Sequence, residues 1–101
     1  MAQLLVFSNA KDGRDDDYNE WYDSIHLPDM LGVPGVKSGA RYRVRELPGR
    51  PSEHKYLAVY ELDRDAGEVL KEIGELMASD PSRATDSLDF GTVVATVWER
   101  Q

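Results

Sequence analysis

Cysteine is absent from this chain of 101 residues, and histidine occurs only twice, as His26 and His54. Without cysteine there is no disulfide, no thiolate nucleophile and no Cys-based zinc site. Neither histidine belongs to an HxH or HExxH pattern, and no carboxylates stand at ligand spacing, so no metal is expected. The acidic stretch Asp12–Asp17 matches a calcium loop in composition alone, because it lacks the Gly at the sixth position and the Glu at the twelfth. There is no phosphate loop, dinucleotide fingerprint or Ser-His-Asp order, so no cofactor is expected either. Basic residues are the minority: 12 Lys plus Arg against 19 Asp plus Glu give a formal charge of −7. That sign opposes binding to nucleic acid, which depends on cations meeting phosphates. Apolar runs are short, as in Leu4–Phe7. A membrane span needs about 20 apolar residues and a signal-peptide core about 7–15. No membrane partner is expected, and the expected location is cytoplasmic.

What is present is enough for a core: 41% hydrophobic residues, with two Trp, five Tyr and two Phe. The length predicts one domain over residues 1–101. Gln3–Asn9 alternates as a strand. A helix follows, with Asp17 and Glu20 at capping-box spacing and an apolar face of Tyr18, Trp21, Tyr22 and Ile25. Pro28 predicts that this helix ends or kinks near His26. Val36–Glu46 reads as a second strand, with Val36, Ala40, Tyr42 and Val44 on one face and Arg41, Arg43 and Arg45 on the other. A basic row of this kind reads either as a charged, aggregation-resistant edge or as an anion site. His54–Leu62 is a third strand. Asp65 and Glu68 open a second helix with a stripe of Val69, Leu70, Ile73, Leu76 and Met77. Asp80-Pro81 stops it, and Phe90–Glu99 is the last strand.

The order βαββαβ predicts an α+β, ferredoxin-like fold, a four-stranded antiparallel sheet with two helices on one face and strand order 4-1-3-2. Three of the strands are apolar on both faces, while the helices cover only one. The uncovered face therefore predicts a second copy of the chain as partner.

Functional groups concentrate in Asn19–Asp29. On a regular helix Asn19, Tyr22 and His26 form one stripe at the edge of the apolar face. An imidazole there suits acid-base work near neutral pH, and a tyrosine hydroxyl can donate to a substrate oxygen. The alternative is that His26 bonds the last carbonyls of its own helix and suits the negative end of its dipole. His54, at the start of a strand, reads as a surface residue. Trp21, Trp98 and Phe90 read as core or dimer contacts.

Tyr18–Asp29 (YNEWYDSIHLPD), followed by Met30–Val36 (MLGVPGV), resembles the first-helix signature of EthD-like proteins of the dimeric α+β barrel superfamily. The elements that carry the likeness are Trp21-Tyr22, His26-Leu27-Pro28 and Pro34-Gly35-Val36. Tyr56–Glu61 resembles the family's third strand. The resemblance implies a ferredoxin-like protomer, a homodimer with two sheets facing each other, and a cleft between sheet and helices. The superfamily includes cofactor-free polyketide cyclases, lactone isomerases, quinone-forming monooxygenases and haem-binding or haem-degrading members. In several cyclase-like relatives a His and a Tyr in the cleft form the acid-base pair. His26 matches the motif, and Tyr22 is carried by it.

Two functional readings follow. In the first, a small cofactor-independent enzyme of cyclase, isomerase or lyase type acts on an aromatic or polyketide-like carbonyl compound. His26 moves a proton, Tyr22 stabilises the oxyanion with help from Asn19, and Phe7, Trp21, Tyr42 and Tyr60 line the pocket. In the second, a non-catalytic homodimer binds a small apolar or aromatic molecule, or assists an oxidative degradation pathway.

Overall fold

The computed structural model describes residues 2–101; Met1, the first residue of the expected domain, lies outside them. Four strands form one antiparallel sheet: β1 (Ala2–Ala10), β2 (Val36–Arg43), β3 (Tyr56–Leu62) and β4 (Leu88–Glu99). Their order across the sheet is β2-β3-β1-β4, the expected one read from the other edge. The helical segments are α1 (Asp15–Trp21), a π-turn (Tyr22–His26) and α2 (Leu27–Leu31) between β1 and β2, then α3 (Ala66–Ser79) and a 3₁₀ turn (Pro81–Arg83) between β3 and β4. This is the predicted βαββαβ order. Among the described residues no helix is long and apolar enough to cross a membrane.

Alternation along the two central strands divides the sheet. Leu4 and Ser8 of β1, with Tyr56, Ala58, Tyr60 and Leu62 of β3, are buried. They meet Tyr18, Tyr22 and Met30 from the first helical segment and Val69 and Ile73 from α3. The intervening residues, such as Phe7, point to the other face, which no helix covers. Large apolar side chains remain exposed there, among them Tyr42, Val94 and Trp98.

Caps explain where α3 and the 3₁₀ turn begin. Asp65 accepts a hydrogen bond from the Glu68 amide at 3.2 Å, and Asp80 accepts from the Ser82 amide at 3.1 Å. The Asp17–Glu20 expectation differs from the structure. The first helix starts earlier, after Arg14, and no side chain caps it. Asp17 instead accepts from Arg14 Nε at 2.9 Å, and three aspartates sit in the first turn, at the positive end of the dipole.

Two local irregularities correct the sequence reading. The first helix does not end before Pro28. Leu27 keeps helical angles (φ −61°, ψ −47°), and its amide bonds Tyr22 O, five residues back. Proline lacks an N–H and its ring crowds the carbonyl four residues earlier, so a widened turn lets the helix run through it. The second irregularity is a register shift between Val36 and Ser38 on β2. It puts Val36 in the core on the same side as Arg41, rather than on the face of Tyr42. Gly39 lies on that side too, where an added Cβ would come within 2.9 Å of the Tyr60 ring.

Candidate functional site: the cleft beside His26

The π-turn sets the geometry of the site. In an α-helix, side chains meet at spacings of three and four. Across this wider turn, Trp21 and His26 meet at a spacing of five. Their rings are stacked, with centroids 4.7 Å apart and planes 16° from parallel. Tyr22 touches the same imidazole edge-on, at 4.9 Å and 87°. The Trp21 indole is fixed from its other end by donating Nε1–H to Arg83 O at 2.7 Å. The indole thus joins the first helical segment to the turn after α3.

His26 lies on a cavity of about 280 Å³ between the π-turn, the end of α3 and the start of β4. Its walls are Trp21, Leu76, Met77, Leu88 and Phe90, and its polar lining includes Asp29, Asp80, Arg83 and Thr85. Arg83 pairs with Asp29 through two bonds, Nε to Oδ2 at 2.6 Å and Nη2 to Oδ1 at 2.9 Å. The imidazole makes no hydrogen bond to protein among the described residues. Burial pushes its pKa down to about 4; Asp29 opposes that shift and Arg41 adds to it. At neutral pH His26 is therefore an uncharged ring that can still accept or donate one hydrogen bond.

The other expected site residues divide into two groups. Tyr22 and Tyr60 are buried and bonded to each other, hydroxyl to hydroxyl at 2.8 Å. Burial raises both pKa values, that of Tyr60 to about 12. Tyr22 thus touches His26 by its ring edge, while its hydroxyl is used in the core. Asn19 points away from His26. Its amide bonds Tyr56 Oη at 3.3 Å and accepts from Arg41 Nη2 at 2.8 Å. The expected Asn19–Tyr22–His26 stripe is broken by the π-turn, which rotates His26 towards Trp21. Phe7 and Tyr42 are on the opposite face of the sheet from the cavity, Phe7 packed on His54 with ring centroids 5.5 Å apart. Of the seven expected site residues, His26 and Trp21 line the cavity.

Arg41 has a role that the basic-row reading did not foresee. Its guanidinium lies 4.3 Å from the Tyr22 ring centroid and 5.5 Å and 5.7 Å from those of Tyr18 and Tyr56. Nη1 donates to Asp23 Oδ1 at 2.8 Å, so the side chain ties β2 to the π-turn. His54 is half-buried, and its Nε2 is 2.8 Å from Thr92 O. Asp29 follows His26 on the same helical segment, whereas the remaining lining comes from α3, the 3₁₀ turn and β4, segments distant in the chain. The Asp80-Pro81 stop, the Leu76–Met77 end of the α3 stripe and Phe90 are the sequence signals in the region.

No family model and no curated protein matches the chain. Solved structures do. An EthD family protein from Bacillus halodurans matches with TM-score 0.67 and 16% identity, covering 100% of this chain and 99% of its own. HapK from Hahella chejuensis matches with TM-score 0.73 and 13% identity, over 100% and 93%. A dimeric ferredoxin-like protein of unknown function from Jannaschia sp. CCS1 matches with TM-score 0.59 and 15% identity, over 98% of each chain. The chain thus shares a ferredoxin-like fold with these proteins, the fold that its helix signature implied. At these identities the likeness is one of fold and carries no reaction with it.

Proposed function

We propose that the chain is a small cofactor-independent enzyme, working as a homodimer, in which His26 transfers a proton on a small, largely apolar carbonyl compound held in the cleft. The observation that carries this reading is the His26 imidazole, without a protein hydrogen bond among the described residues, on the wall of an apolar cavity. His26 takes a proton from a carbon beside the carbonyl. The C–H electron pair becomes the enolate double bond, and the imidazolium, whose N–H exchanges with water, returns a proton at that carbon or at another atom, so nothing else is consumed. The imidazolium formed in that step is the counter-ion of the enolate. The stack on Trp21 and the edge of Tyr22 hold the ring in one orientation. Tyr22 and Asn19 take no part in the step, because their polar groups bond Tyr60, Tyr56 and Arg41.

A weak base suits a carbon acid that its substrate has already activated. Exchange of the α-hydrogens of 2-tetralone in D₂O, followed by NMR, tests the assignment. The wild-type chain should accelerate exchange well above the solvent rate, and His26→Gln should return it to that rate. A second reading, binding without chemistry, is favoured by the engagement of the Tyr22 hydroxyl with Tyr60. It predicts that 2-tetralone binds while its exchange rate stays at the solvent value.

A further inference from the structure

The cavity beside His26 has apolar walls and a charged mouth. Asp29, Asp80 and Arg83 line it, two carboxylates against one guanidinium, so 1 − 2 leaves a formal −1. The guanidinium is already matched, because Nε and Nη2 both donate to Asp29. Asp80 accepts from the Ser82 amide and hydroxyl, and these bonds hold its carboxyl below the ordinary range, so it stays ionised. An anion entering this mouth meets net negative charge and no unpaired cation. Of the uncharged polar side chains in the lining, the Thr85 hydroxyl is paired with Ser87, while the imidazole of His26 is bonded to no protein group among the described residues.

Shape adds a second constraint. Trp21 and His26, stacked with nearly parallel planes, both line the cavity, and Phe90 adds a third aromatic ring. An apolar cavity of about 150 Å³ takes up benzene. The volume here, about 280 Å³, gives room for two fused rings.

We infer that the cleft selects an uncharged, planar ring compound that places a hydroxyl or carbonyl oxygen against His26, and that it rejects the matching carboxylate. The inference rests on reading the cleft as a ligand site, but it concerns charge and not chemistry.

The probes 1-naphthol and 1-naphthoate, which share the naphthalene ring and differ in charge at neutral pH, separate these points. Titration calorimetry gives each affinity, and NMR of the His26 ring and the Trp21 indole gives the place. The expected result is that 1-naphthol shifts both signals and binds at least tenfold more tightly than 1-naphthoate. Asp80→Asn keeps an N-cap and removes one mouth charge, so it should narrow that gap several-fold. Equal or tighter binding of 1-naphthoate, with the same two signals shifted, overturns the charge selection and leaves the ligand site standing. No shift of either signal by either probe overturns the site itself.

Discussion

His26 links stability to acid. Its ordinary pKa of 6.5 falls to about 4 in the folded chain, chiefly because burial disfavours the imidazolium. Between those two values the unfolded chain binds a proton that the folded chain does not. Stability is therefore complete above about pH 6.5, declines as pH falls, and stops declining on this account near pH 4. A gap of this size corresponds to at most about 3 kcal/mol. Urea unfolding of the wild-type chain and of His26→Gln at pH 7 and pH 4.5 isolates the contribution, because carboxylate effects are common to both. The wild type should lose more stability on acidification than the variant. Equal losses would mean that His26 titrates normally. The same property bears on function: down to about pH 5 the ring stays a neutral base, so proton transfer should persist into mild acid rather than fall off near pH 6.5.

The π-turn is the element on which the site depends, and β2 holds it. Arg41 touches it twice, by its charge over the Tyr22 ring and by its bond to Asp23. Asp23 is largely exposed, so the ion pair alone is weak. The cation–π contact and the bond to Asn19 are better shielded. Arg41→Gln should destabilise the fold by about 1–3 kcal/mol. It should also speed hydrogen exchange at the Leu27 amide, the donor that closes the turn on Tyr22 O. Unchanged protection of that amide would remove Arg41 from this role. Much of the architecture was legible in the sequence, because periodicity and caps depend on residues close together in the chain, and the strand order follows from the handedness of the connections. Asp65, Asp80 and the alternation of Tyr56, Ala58 and Tyr60 are examples. Phase along an element was harder. One widened turn before Pro28 separates His26 from Asn19, and one register shift after Val36 turns Arg41 inwards. Each alters which residues meet while leaving the element in place. The cavity was least legible, since Met77 and Phe90 are brought to Trp21 and Asp29 only by tertiary packing.

On the scale of the whole molecule, the sheet has one covered face and one open face. The open face carries Tyr42 at 56% exposure, Trp98 at 59% and Val94 at 43%. Together they place exposed apolar side chains on β2 and β4, at both edges of the sheet. Apolar surface of this extent ordinarily marks an interaction site, and a two-fold axis lets one face cover its own copy. The cavity beside His26 lies on the helix side, so pairing through the open face leaves its lining within one chain. Sedimentation of the wild-type chain should give twice the protomer mass. The double substitution Val94→Glu, Trp98→Glu places like charges across the two-fold axis and should give the single mass. Because the substituted residues are far from the cavity, the stacked Trp21–His26 pair should survive in the monomer, visible as unchanged ring-current shifts of the His26 protons. A monomeric wild type would leave the open face without this partner. Loss of the His26 shifts on dissociation would mean that the cleft is built by the dimer and not by the protomer.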